Sequence, residues 1–181
     1  MTVGPPNIYI QEGKRLNVPK DIITNALAHA SRNQKHGVAP ILTLNHLSHL
    51  TGTNYRYLRQ IVQRRRDPYH VFQIRKRKGG RRIICVPDQP LMVVQRWIHK
   101  NVLSRLSHSP RSFAFHKGSS IVDCASEHCG NRWLIKIDIR RFFESITEKQ
   151  VYRLFFNIAR LIAKQRYLYG SKLMIPALFR I

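Results

Sequence analysis

Acidic residues are scarce. The 181 residues hold 9 Asp and Glu against 32 Lys and Arg, a net charge of +23. Such a field repels itself and weakens a compact state unless a polyanion neutralises it. No apolar run reaches the roughly 18 residues needed to span a bilayer. Residues 1–11 lack a basic segment followed by an apolar one, so no signal peptide is expected and the cytoplasm is the expected compartment. Cysteine is limited to Cys85, Cys124 and Cys129, an odd number that argues against a disulfide framework and fits a reducing environment. His116, Cys124, His128 and Cys129 cluster loosely, but their spacing matches no zinc finger. They are expected to be ordinary core or surface residues. Internal repeats and low-complexity tracts are also lacking.

What is present is enough hydrophobic material, 43% of residues, to build a core. The excess cations leave two partner classes, nucleic acid or an anionic membrane. A membrane-surface helix lines its cations along an apolar moment. Here they gather in a hairpin-like stretch and near helix ends, which favours nucleic acid and no membrane. Charge does not separate RNA from DNA.

Residues 1–17 are polar with Pro and Gly and read as a loose arm. Pro19-Lys20-Asp21 opens a helical pattern carried by Ile22, Ile23, Leu27 and Ala30. Residues 33–40 read as a linker. Segments 42–50 and 55–62 read as short helices joined by Thr51-Gly52-Thr53-Asn54. Residues 69–77 and 81–86 alternate and carry β-formers around Gly79-Gly80, the signals of a β-hairpin. The nine Lys and Arg between Arg64 and Arg82 stand against one Asp. Strand formers between charges point to a rigid hairpin aimed at phosphates rather than a solvated loop, with Arg75, Arg77 and Lys78 as nucleic-acid contacts.

Residues 91–106 form an amphipathic helix pattern with Pro90 in its first turn. Ser119 or Ser120 is expected to cap a helix through Glu127. Residues 133–139 read as a buried strand. Thr147 and Gln150 make a capping box for a helix through Phe156.

Asp138 sits at the end of that otherwise apolar strand. A desolvated carboxylate needs compensation, either a metal ion or a cation such as Arg140 or Arg141. Residue types alone leave the two open.

The string Ile135-Lys136-Ile137-Asp138-Ile139-Arg140-Arg141-Phe142-Phe143-Glu144-Ser145-Ile146 resembles the first palm motif of reverse transcriptases. Upstream, Phe72-Gln73-Ile74-Arg75-Lys76-Arg77-Lys78-Gly79-Gly80-Arg81-Arg82-Ile83-Ile84-Cys85-Val86-Pro87 resembles the fingers hairpin of retron-type bacterial members. Leu91-Met92-Val93-Val94-Gln95-Arg96-Trp97-Ile98 resembles the helix that follows. Ala114-Phe115-His116-Lys117-Gly118-Ser119-Ser120-Ile121 resembles the next block. Four blocks in the family's order cover about residues 55 to 157.

The resemblance implies an RNA-directed DNA polymerase of retron type, copying a structured noncoding RNA into DNA. It implies partners to match: the RNA template-primer, its DNA product, dNTP and, in some members, an effector protein in antiphage defence. Asp138 matches one carboxylate of a two-metal magnesium site, with the Ile139 carbonyl beside it. Lys76 and Arg81 match cations that grip the incoming triphosphate, with Arg82 as the alternative to Arg81. Phe143 matches the aromatic that excludes a ribose 2′-hydroxyl. Gln95 and Trp97 match positions supporting the template path, though core packing accounts equally for Trp97.

The implied architecture is α+β, an incomplete right-hand polymerase. Residues 1–66 would be an arm and helical unit, 67–131 the fingers, 132–157 the start of the palm, and 158–181 a divergent tail. No Asp follows Asp138, and neither a Tyr-x-Asp-Asp motif nor a thumb is found. The expectation is a chain cut short by a shifted frame, an early stop or deliberate shortening, inactive alone and poorly soluble without RNA. The alternative is a non-catalytic basic RNA-binding module.

Overall fold

The computed structural model describes residues 6–35, 37–77 and 79–162. In chain order the elements are helices α1 (Pro6–Arg15), α2 (Lys20–Lys35), α3 (Leu44–Thr51) and α4 (Tyr55–Val62), then strands β1 (Tyr69–Arg75) and β2 (Arg81–Pro87). Helix α5 (Gln89–Asn101) runs into a 3-10 turn at Leu103–Arg105, followed by α6 (Ile121–Ser126), α7 (Phe142–Ser145) and α8 (Glu148–Ile162). Helices around one antiparallel two-stranded sheet fit the expected α+β class. No helix among the described residues is long and apolar enough to cross a membrane.

The loose arm expected at residues 1–17 is corrected, because Pro6–Arg15 is helical. Pro6 suits the first helical position, where an amide proton has no intrahelical partner. Arg15 ion-pairs with Glu12 one turn earlier. Gly13 also lets α1 approach α2 closely, since a Cβ there would lie 2.7 Å from Ile23 Cδ1. The expected linker starts later than residue 33, because α2 runs to Lys35.

Side-chain caps explain several helix starts. Thr43 Oγ1 accepts from the His46 amide at 3.0 Å to open α3. Gly52, at φ +65°, closes α3 in the left-handed region that a Cβ disfavours. Asn54 Oδ1 then accepts from Arg56 N and Tyr57 N at 2.8 and 3.3 Å to open α4. Ser120 caps α6 through Val122 N and Asp123 N. At α8, Gln150 Oε1 accepts from Thr147 N at 2.6 Å and Thr147 Oγ1 accepts from Gln150 N at 3.3 Å, the reciprocal capping box.

The core lies where α3, α4 and α5 meet. Leu47, Leu58, Ile61, Leu91, Val94 and Ile98 are buried together, with Val38, Leu44 and Val102 at its margins. Leu91, Val94 and Ile98 are the spaced positions of one α5 face, as the 3.6-residue period requires. Helix α5 stops short of residue 106: Val102 leaves helical geometry at φ −121° while keeping its side chain in the core. Phe155 brings α8 against the same cluster, and Trp97 packs on it half-buried.

The buried strand expected at residues 133–139 is also corrected. The segment is in no strand, and Trp133, Leu134, Ile135, Ile137 and Ile139 are all exposed. A strand needs a neighbour to take its amide and carbonyl groups. None pairs with this segment among the described residues, so its apolar side chains stay in solvent. From residue 163 the expected tail lies outside the described residues.

Candidate nucleic-acid interface

The hairpin is built on a register that pairs Tyr69 with Pro87 and Arg75 with Arg81. Strand alternation places Val71, Gln73, Arg75, Arg81 and Ile83 on one face, and Phe72, Ile74, Arg82 and Ile84 on the other. The connection closes with Lys76 N donating to Gly80 O at 2.9 Å and Gly79 N donating to Lys76 O at 3.1 Å. Gly79 and Gly80 both hold positive φ, +87° and +83°, which explains the glycine pair.

The tip is a concentration of one charge sign. Arg75, Lys76, Arg77, Arg81 and Arg82 are all exposed. No acid occurs between Asp67 and Asp88. Among the described residues none of the five is ion-paired; Arg81 alone is held, its guanidinium donating to Gln73 Oε1 at 3.3 Å. Arg75 faces Arg81 directly across the strands, a like-charge pair that destabilises a bare hairpin. A bound polyanion removes that repulsion. Val71, Phe72, Ile74 and Ile83 are exposed between the cations, so apolar and charged side chains share the hairpin surface. Lys78 lies outside the described residues.

The base of the hairpin is tied down chiefly by Tyr57 and Asp88, which the sequence reading passed over. Tyr57 of α4 donates its hydroxyl to Asp88 Oδ1. Asp88 also caps α5 through Leu91 N at 3.2 Å, and its amide donates to Pro68 O at 2.7 Å. Arg66 reaches Asp88 Oδ2 at 3.6 Å and stacks its guanidinium over the Tyr57 ring, 4.9 Å from the centroid. Burial, then the hydrogen bond to Asp88, hold the Tyr57 hydroxyl well above its ordinary ionisation range. Gln95 Nε2 donates to the Tyr69 hydroxyl at 2.8 Å, joining α5 to β1. The sequence signal for this joint is the Asp88-x-Pro90 start of α5, a capping residue before an early proline.

Asp138 sits in the exposed segment and makes no hydrogen bond or ion pair among the described residues. Arg141 pairs instead with Glu144, at 2.9 Å. No group of three or more His, Cys, Asp or Glu that could hold a metal ion occurs among the described residues. Asp138 and the Ile139 carbonyl alone do not make a magnesium site, because Mg2+ demands near-octahedral oxygen ligation. Phe143 packs edge-on against Phe142 and Phe115, at 5.3 and 6.4 Å between ring centroids. That contact brings the Ala-Phe-x-x-Gly block beside the Asp138 block. Cys124 is half-buried and Cys129 exposed, both as free thiols.

No protein-family model matches the chain. Among characterised proteins it is 30% identical to the retron Ec86 reverse transcriptase of Escherichia coli over 124 residues, 67% of this chain and 39% of that protein. It is 36% identical to the retron Mx65 reverse transcriptase of Myxococcus xanthus over 83 residues, 46% of this chain and 19% of that protein. It is 37% identical to the retron Ec73 reverse transcriptase of Escherichia coli over 87 residues, 47% of this chain and 28% of that protein. The chain thus spans well under half the length of these relatives.

Proposed function

We propose that this chain, a partial relative of the retron reverse transcriptases, serves RNA-directed DNA synthesis through its basic hairpin. The supporting observation is the hairpin tip: five exposed cations without ion pairs among the described residues, on a two-stranded frame anchored at its base. A frame held at one end presents its charges in fixed positions, which suits a triphosphate or a phosphate backbone. In this reading Lys76 and Arg81, or Arg82 in place of Arg81, grip the triphosphate of a dNTP. Arg75, Arg77 and Lys78 contact the RNA template-primer or its DNA product. Gln95 acts by holding Tyr69 at the hairpin base, and Phe143 stands against the ribose 2′ position. The architecture belongs to the fingers and first palm segment of a right-hand polymerase. A divalent ion such as Mg2+ belongs to the chemistry of this reading. The described residues do not assemble its site, so no step is assigned to Asp138 alone.

A second reading, a non-catalytic RNA-binding module, is favoured by one observation. Asp138 belongs to no group of three or more His, Cys, Asp or Glu that could hold a metal ion among the described residues. RNA-templated primer extension separates the two. Incorporation of dNTP by this chain, lost in Asp138→Asn and reduced in a Lys76→Ala/Arg81→Ala variant, supports the polymerase reading. RNA binding without incorporation supports the module. Copying of a noncoding RNA in antiphage defence, with an effector partner, is the cellular role this reading implies. Phage-plating efficiency with and without the gene tests it.

A further inference from the structure

Helices α3 and α4 form a unit of their own. Gly52, Thr53 and Asn54 join them, and Gly52 takes the left-handed geometry that turns the chain sharply. Ser48, small and buried on α3, donates its hydroxyl to Thr53 O at 2.5 Å. Leu47 on α3 and Leu58 and Ile61 on α4 bury the inner faces. Two short helices, a three-residue turn with glycine and a shared apolar seam give this unit the connectivity of a helix-turn-helix.

The outer face of α4 has the composition such a unit uses for reading a duplex. Tyr55, Arg56, Arg59, Gln60 and Gln63 are exposed, and the helical period brings them to one side. This face holds no acid and no aliphatic residue. No Asp or Glu occurs between Asp21 and Asp67. Arg64 and Arg66, just beyond the helix, are engaged by Glu148 and Asp88. Arg56 and Arg59 make no ion pair among the described residues. Arg and Gln are the side chains whose forked donors and acceptors match base edges and phosphates.

We infer that the outer face of α4 is a second nucleic-acid contact, separate from the hairpin, that seats in the major groove of a B-form DNA duplex. Shape selects the occupant together with charge. A major groove roughly 12 Å wide admits an α-helix, whereas the A-form RNA major groove is too deep and narrow for side chains to read. This goes beyond the role proposed for the hairpin and does not depend on it.

The test is fluorescence polarisation with the full chain, using a mixed-sequence DNA duplex of about two helical turns and an RNA duplex of the same sequence. The variants are Arg56→Ala/Arg59→Ala and Gln60→Ala/Gln63→Ala, with Arg75→Ala/Arg77→Ala as the hairpin control. All substituted positions are exposed, and thermal melting checks each fold. The expected result is tighter binding to DNA than to RNA duplex. The arginine variant should lose DNA affinity roughly tenfold or more and lower the salt slope by about 2. The glutamine variant should weaken DNA binding with little change in slope, and the same α4 substitutions should still weaken DNA binding when made on the hairpin-control background. The inference is overturned if the wild type fails to bind the DNA duplex at low salt. It is equally overturned if both α4 variants bind DNA like the wild type, or if the RNA duplex is bound as tightly and weakened equally. RNA binding that is unchanged in the hairpin control would count against the proposed function and leave this inference standing.

Discussion

Asp88→Ala removes the joint at which the helical unit, the hairpin and α5 meet. Three interactions end at this carboxylate: the Leu91 amide at 3.2 Å, the Tyr57 hydroxyl and the Arg66 guanidinium at 3.6 Å. Loss of an N-cap costs about 1 kcal/mol. A hydrogen bond to a charged acceptor contributes about 1.5–3 kcal/mol. The Arg66 pair adds little, because the arginine side chain is half in water and salt screens it. These contributions share one group and do not add fully, so the expected loss is about 2–4 kcal/mol. With an urea m-value of about 2 kcal/mol/M, the midpoint should fall by about 1–2 M. Tyr57→Phe, which leaves the cap intact, should cost about 1–2 kcal/mol. Circular dichroism during urea unfolding reads both values. RNA affinity gives a second readout: it should fall as the hairpin base loosens, while its salt dependence stays unchanged because no phosphate-contacting cation has been removed. A loss below about 0.5 kcal/mol for Asp88→Ala would refute the joint as the hairpin's anchor.

Three further outcomes follow from the same structure. Leu58 is fully buried, so Leu58→Ala should destabilise by about 2–5 kcal/mol in the same urea assay. Gly52→Ala should cost about 1 kcal/mol or more, read as a lower Tm, because φ +65° strains a residue with a Cβ. His46 is held below its ordinary value of 6.5, by burial first and then by the neighbouring His49, and its Nδ1 accepts from the Leu42 amide. The unfolded chain therefore takes up a proton at higher pH than the native one. The contribution is present above about pH 6.5 and is lost as pH falls through the lower native value. Tm should drop between pH 7.5 and 5, and His46→Gln should flatten that part of the profile.

The hairpin was legible because its signals are local. Alternation, a Gly-Gly turn and flanking prolines set a two-stranded ladder without reference to the rest of the chain. The capping box at Thr147 and the amphipathic face of α5 are legible for the same reason. Helix α1 was not, since its support comes from the Glu12–Arg15 pair and from packing on α2 through Gly13 rather than from an apolar stripe. Residues 133–139 show the opposite failure. The apolar run and the strand formers are real, but pairing is a property of two segments, and the run alone does not supply the second. The Tyr57–Asp88–Arg66 joint spans 31 residues between its tyrosine and its carboxylate, a separation that no window on the sequence displays.

The central claim is that the hairpin tip is the phosphate contact, and salt-dependent RNA binding tests it most directly. Affinity for a single-stranded RNA is measured across a range of salt for the wild type and for Arg75→Ala/Arg77→Ala. Each lost phosphate contact should lower the slope of log affinity against log salt by about 0.7, so the double variant should lose about 1.4 and bind more weakly at every salt. Unchanged affinity and an unchanged slope would contradict the account and place the RNA contact elsewhere on the chain.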